Sequence, residues 1–106
     1  MDSRLIFEKG RYLSQKVNWI FQTEDSEWIY LNYHSKTFAE DLQKVLNYFN
    51  QDELLNVIYS RRDSFETYSR KLDNLPFTST NIMIWNHNFF QVIEFNQNGI
   101  YRLGEI

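Results

Sequence analysis

The sequence predicts an α+β fold: an antiparallel sheet of about five strands with one or two helices packed on one face. Three observations predict this class. Two strand-like runs lie near the N-terminus and are separated by a polar cluster, which favours a hairpin. A stretch with helical spacing follows, and the last third of the chain has the pattern of a β-meander. Runs of strands combined with a packed helix are typical of α+β domains.

The predicted meander consists of apolar runs that alternate with short polar turns. In chain order these segments are NIMIW, Asn86-His87-Asn88, FFQVIEF, Gln97-Asn98-Gly99 and IYRLGEI. Asn-Gly between two apolar runs is the strongest short-range hairpin signal, since a type I′ turn needs a positive φ at both central residues. The pattern therefore predicts two successive hairpins and places His87 at the exposed tip of the first.

The N-terminal hairpin is predicted from residues 17–23 and 28–33, which are rich in aromatic and β-branched residues. The polar residues 24–27 between them fit a loop of about four residues. Alternation along the first run places three side chains on one face of the strand: Val17, Trp19 and Phe21.

A helix is predicted in SKTFAEDLQKVLNYFN because its apolar residues recur with a period near 3.6. They form one stripe: Phe38, Leu42, Val45, Leu46 and Phe49. Thr37, with Glu40 three residues later, matches a capping box. Glu40 and Lys44 have the spacing of a favourable ion pair on the outer face of the helix.

Two segments are compatible with more than one structure. RLIFEKGRYLSQ fits a short helix interrupted by Gly10, or two short strands that turn there. Residues 54–60 fit either a helix or a strand. A helix is favoured after Ser64, because Glu66 and Arg70 have the spacing of an ion pair on a helix.

Both faces of the predicted meander are apolar, whereas a sheet with one solvated face alternates apolar and polar residues. In NIMIW, for example, the isoleucines alternate with Met83 and Trp85. Either helices and the N-terminal segment cover both faces, or a second copy of the chain covers one face in a homodimer. A large uncovered apolar face is rare in monomers.

Composition predicts a single domain over residues 1–106, and 18% aromatic residues supply a substantial core. The chain has no cysteine, which excludes disulfides, thiol chemistry and zinc sites built on cysteine. The N-terminal residues show no apolar run of signal-peptide length, and no window approaches the roughly 18 apolar residues of a spanning helix. We therefore expect a cytoplasmic protein with no membrane partner.

The net charge of −3 is unevenly distributed. Residues 24–53 contain seven acidic and two basic side chains, a local charge of −5. Acidic clusters attract basic partners, and neighbouring aromatic residues supply binding area. The predicted partner-binding surface comprises Glu24, Asp25, Glu27, Trp28, Tyr30, Glu40 and Asp41. Overall acidity argues against nucleic acid as the partner, although RRDSFETYSRK is locally basic.

No catalytic or metal site is predicted, and no cofactor is expected, because the sequence lacks the motifs that carry such sites. H-E-x-x-H, a calcium-binding loop, G-x-S-x-G and a glycine-rich phosphate loop are all absent from it. His34 and His87 are the only histidines. Together they could act as acid and base in a small hydrolase or nuclease, which is the alternative hypothesis.

In size, acidity and aromatic content, the chain resembles the small bacterial immunity proteins that neutralise cognate toxins. The resemblance lies in composition and not in any motif. It implies an inhibitor that blocks a basic protein. The leading hypothesis is a non-catalytic protein-binding domain, because the acidic region lies next to Trp28 and Tyr30 in a chain without catalytic motifs. The two-histidine enzyme and a structural homodimer are the alternatives.

Overall fold

The computed structural model describes residues 2–50, 52–72 and 74–106. Within these ranges the chain forms two α-helices and a seven-stranded antiparallel sheet, which confirms the α+β class. The elements are α1 (Ser3–Ser14), β1 (Asn18–Trp19), β2 (Ile29–Tyr30), α2 (Phe38–Leu46), β3 (Leu54–Ile58), β4 (Phe65–Tyr68), β5 (Ile82–Trp85), β6 (Gln91–Asn96) and β7 (Ile100–Glu105). The strand order is β1-β7-β6-β5-β3-β4, and β2 also pairs with β7.

The C-terminal strands β5, β6 and β7 form the predicted meander, with antiparallel pairing throughout. The second turn differs from the predicted type I′ geometry. Gly99 has a φ of 89°, but Asn98 does not have a positive φ. Asn96 pairs with Ile100, so the connection is a three-residue loop that ends in a left-handed glycine.

Strands β1 and β2 do not form the predicted hairpin with each other but lie end to end along β7. Asn18 pairs with Glu105, whereas Tyr30 pairs with Ile100. Both segments thereby supply hydrogen-bond partners to the outer backbone of β7. Residues 21–28, here called the edge loop, leave the sheet after β1 and rejoin it at β2.

The two helices lie on opposite faces of the sheet, although the sequence placed the helices on one face. On the first face Leu42 and Leu46 of α2 pack with the buried residues Ile84 and Ile93. On the second face Ile6 of α1 packs in a cluster that also contains Ile58, Trp85, Phe89 and Val92. Both faces of the strands are apolar, and the chain covers each with its own helix.

The N-terminal segment, which fitted either a helix or two short strands, forms helix α1. The carboxylate of Asp2 caps it by accepting a hydrogen bond from the Leu5 backbone N–H at 2.9 Å. Gly10 lies inside the helix, and a β-carbon at this position would collide with Ile58 and crowd Trp85. The glycine therefore allows α1 to approach the sheet closely, and this helix is what covers Trp85.

The segment after Asp52 forms the antiparallel pair β3–β4, so the helix predicted from Ser64 is wrong. A turn at residues 60–63 joins the two strands. Its geometry comes from the Ser60 hydroxyl, which donates to the Asp63 carboxylate at 2.6 Å and accepts from the Asp63 backbone N–H. Pairing with β3 outweighs the helical spacing of Glu66 and Arg70.

The predicted helix over residues 38–49 is confirmed for residues 38–46, and Leu42, Leu46 and Phe49 of its apolar stripe are buried. The capping box is not formed. The Thr37 side chain makes no cap hydrogen bond to the helix backbone, and its hydroxyl instead contacts the Asp41 carboxylate at 2.9 Å.

Tyr33, which packs beside α2, makes the free energy of unfolding vary with pH in the alkaline range. Its hydroxyl donates to the Asn96 carbonyl at 2.6 Å, and burial raises its pKa from 10.0 to about 12. Between these values the folded protein holds a proton that the unfolded chain has lost. We expect the free energy of unfolding to fall as pH rises through this window.

Urea denaturation across that pH window measures the effect. Tyr33→Phe should remove this component of the pH dependence, whereas Tyr30→Phe, at an exposed ring, should retain it. Equal slopes for wild type and Tyr33→Phe would contradict the assignment to Tyr33.

Candidate functional site

The seven residues predicted to bind a partner fall into three groups around the outer edge of the sheet: two beside Arg102, three at or next to a cleft beside α2, and two, Glu24 and Asp25, in the edge loop. Tyr101 and Arg102 are consecutive on β7, so their side chains point to opposite faces. Glu27 and Trp28 pack around Arg102, whereas Asp41 lines a cleft that contains Tyr101. Tyr30 lies at the rim of that cleft.

The first group belongs to a polar and aromatic cluster, here called the Arg102 cluster. Its members are Trp19, Glu27, Trp28, Glu94 and Arg102. The guanidinium contacts the Glu27 carboxylate at 2.9 Å and the Glu94 carboxylate at 2.7 Å. It also lies 3.7 Å from the Trp19 ring centroid and 4.6 Å from that of Trp28. Glu27 and Trp28 are therefore already engaged within the chain.

The second group lines an open cleft of about 420 Å³ between α2 and the sheet edge. The cleft is lined by Tyr30, Leu31, Asn32, Asp41, Lys44, Val45 and Tyr101. Burial raises the pKa of the Tyr101 hydroxyl above its ordinary value. Glu40 is exposed on the neighbouring helical turn. The cleft combines opposite charges with aromatic and aliphatic walls.

The edge loop is exposed over residues 21–25. Glu24 and Asp25 are exposed in the loop, and a large aromatic side chain lies near each end of it: Phe21, the first loop residue, is 62% exposed, and Tyr30, on β2, is 74% exposed. Within the loop, the Gln22 N–H donates a hydrogen bond to the Ser26 carbonyl at 2.9 Å. We call Phe21, Glu24, Asp25 and Tyr30 the acidic edge.

The predicted surface did not include Phe21. Alternation placed this residue on the strand face of Trp19, but β1 ends at Trp19, and the last backbone hydrogen bond of this segment to β7 is donated by Ile20. Phe21 therefore lies beyond the strand. No local pattern in the sequence marks where the strand ends.

His34 and His87 lie at opposite ends of β6. His34 lines a small pocket with the turn at residues 97–99, which follows this strand. His87 lies in the turn that precedes it. Six residues of strand span about 20 Å. The structure therefore does not bring the two imidazoles together, and they lack the shared geometry that an acid–base pair requires.

The turn around His87 is organised by the buried residue Asn86. Its side-chain oxygen accepts hydrogen bonds from the backbone N–H groups of Phe90 at 2.8 Å and Gln91 at 2.9 Å. His87 is exposed, as predicted, and its backbone N–H donates to the Glu53 carboxylate at 3.1 Å. Phe89 adopts a φ of 58° so that its ring packs beneath α1. These contacts determine the conformation of the turn.

Two further properties of the described residues limit the kinds of site they offer. Across residues 2–50, 52–72 and 74–106, no group of three or more His, Cys, Asp or Glu side chains could hold a metal ion. No helix in the same ranges is long and apolar enough to cross a membrane.

No protein-family model matches the chain, and neither a curated protein nor a solved structure matches it.

Proposed function

We propose that the protein is a non-catalytic binding domain that recognises a basic protein through its acidic edge, in the manner of an inhibitor or immunity protein. The observation that carries the proposal is the exposure of Tyr30, at 74%, beside an exposed acidic loop. A large aromatic side chain in this position has little intramolecular contact to lose and much area to bury on a partner.

The two aromatic residues of the acidic edge supply the binding area. Phe21 begins the edge loop and Tyr30 follows it on β2, and an aromatic side chain buries roughly 150–250 Å² when it is fully covered. Tyrosine is enriched among the residues that dominate binding energy, and aromatic residues are enriched at interfaces. These rings can therefore form the centre of an interface.

The two acidic residues supply exposed negative charge. Among the described residues, neither Glu24 nor Asp25 forms an ion pair, whereas Glu27 is paired with Arg102. Glu40 and Asp41, at the start of α2, extend the negative region beyond Tyr30. Such a field accelerates association with a positively charged protein and weakens as salt is added.

Partner capture followed by reconstitution tests the proposal. A photo-crosslinking amino acid in place of Phe21 would trap the partner in cells, and the identified protein would then be purified. We expect Tyr30→Ala to weaken its binding by about 30-fold or more, the loss typical of a central aromatic residue. The double change Glu24→Lys and Asp25→Lys should weaken binding by about tenfold or more and reduce its salt dependence.

Glu8→Lys is the control for the change of charge. It is compared with the single change Glu24→Lys, because both variants reverse one acidic side chain. Glu8 lies on α1, away from the acidic edge, and its contacts with Arg4 and Arg61 are exposed. Exposed pairs of this kind contribute little to stability. The proposal fails if the purified partner binds Tyr30→Ala and the charge-reversed protein as tightly as the wild type.

A further inference from the structure

The edge loop is attached to the sheet by very short strands. Both β1 and β2 comprise only two residues, and the eight residues of the loop lie between them. Two backbone hydrogen bonds of 2.8 Å hold the flanks: the Ile20 N–H donates to the Leu103 carbonyl of β7, and the Leu31 N–H donates to the Gly99 carbonyl in the turn before β7. Such limited pairing leaves the base of the loop dependent on side-chain contacts.

Arg102 makes those contacts on both sides of the loop base. Trp19 lies just before the loop and Trp28 is its last residue, and the guanidinium packs against both rings. Its Nη1 donates to Glu27, also in the loop, while its Nε donates to Glu94 on β6. One side chain thereby connects the start of the loop, its end and the centre of the sheet.

We infer that Arg102 is a positioning residue that locks the edge loop in one conformation and so presents the acidic edge preformed. The benefit to binding rests on the proposed function, whereas the ordering of the loop does not. Glu27 then acts through Arg102 and not on the partner, in contrast to Glu24 and Asp25. This assignment gives Glu27 a role in positioning the loop, and Glu24 and Asp25 a role in contacting the partner.

The chemistry of the cluster requires arginine. A guanidinium is planar, stacks on aromatic rings and presents several N–H groups in a fixed fork, whereas an ammonium is a compact, strongly hydrated charge. Side-chain exposure is only 21–22% for Arg102, Glu27 and Glu94, so water competes weakly for these hydrogen bonds. The absence of a side chain at Gly104 leaves room for the Trp19 indole, because a β-carbon at position 104 would collide with Val17 and with the indole.

Hydrogen exchange of the protein without any partner tests the lock. In Arg102→Lys the charge remains but the fork and the stacked plane are lost. We expect the amides of residues 20–31 to exchange about tenfold faster, as in a local opening, while the amides of β5 and β6 keep their protection. Glu27→Gln, which removes one carboxylate, should accelerate the same amides to a smaller extent.

Arg61→Lys is the matched control, since Arg61 is an exposed arginine whose contact with Glu8 is 3.6 Å long. It should leave exchange unchanged everywhere. Unaltered exchange of residues 20–31 in Arg102→Lys would overturn the inference. Acceleration spread equally over the whole sheet would overturn it too, because Arg102 would then stabilise the fold without a specific effect on the loop.

The result is independent of the proposed function, since no partner is present. Glu24→Lys with Asp25→Lys should leave loop exchange at the wild-type rate, because neither residue belongs to the Arg102 cluster. Loss of binding in that variant with unchanged exchange would support the proposed surface and the division of roles together. Faster exchange in this double variant would contradict the division of roles between Glu27 and the other two acids. The partner-binding proposal would still be decided by the binding experiment.

Discussion

Replacing Phe95 with alanine is expected to lower the free energy of unfolding by about 3–5 kcal/mol, the range for removal of a buried aromatic side chain. Phe95 is fully buried on β6, in the middle of the sheet. Its ring lies 5.1 Å from that of Phe77 and 5.9 Å from that of Tyr101. Domains of this size are stable by about 5–15 kcal/mol, so the variant would be marginal.

Phe90→Ala is the matched control on the same segment of chain. Phe90 is 50% exposed, and its backbone N–H and carbonyl keep their hydrogen bonds when the ring is removed. We expect its unfolding free energy to change by about 0.5 kcal/mol or less. Urea denaturation followed by circular dichroism measures both variants. Similar losses for Phe90 and Phe95 would contradict the described placement of the core.

Replacing Asn86 with alanine is expected to cost about 2–3 kcal/mol, although this residue lies at the end of a strand. The substitution removes the oxygen that accepts hydrogen bonds from the N–H groups of Phe90 and Gln91. Each donor left in a partly buried site without a partner costs about 1–3 kcal/mol. Urea denaturation, as for Phe95→Ala, measures this loss of unfolding free energy.

Two neighbouring substitutions test the cause of that loss. Asn88→Ala, at an exposed position in the same turn, should be nearly neutral. Asn86→Asp keeps an acceptor oxygen and should retain more stability than Asn86→Ala. If Asn86→Ala and Asn88→Ala are equally stable, the acceptor role of Asn86 is incorrect.

Periodicity predicted the elements whose stability comes from one uninterrupted apolar pattern. The meander and α2 both show such a pattern, and both form as expected. The segment with Glu66 and Arg70 shows why spacing alone can mislead. An i, i+4 pair contributes only about 0.2–0.5 kcal/mol to a helix, and pairing of β4 with β3 outweighs it.

The candidate site was less predictable, because its organisation depends on contacts between distant residues. Arg102 is 75 residues from Glu27 in the sequence, and no local pattern indicates that they meet. Counting charges therefore grouped Glu27 with Glu24 and Asp25. The contact with Arg102 separates them: one acid is engaged in the fold, and the other two face solvent.

The end-to-end arrangement of β1 and β2 also has a consequence for self-association. A long, flat outer strand is a template on which another chain can add by backbone pairing, and natural sheets commonly shorten or interrupt such strands. On this side of the sheet the outer strand is divided into two-residue pieces by the projecting edge loop. We therefore expect the segment that carries Phe21, Glu24 and Asp25 also to hinder the addition of another chain at this edge of the sheet.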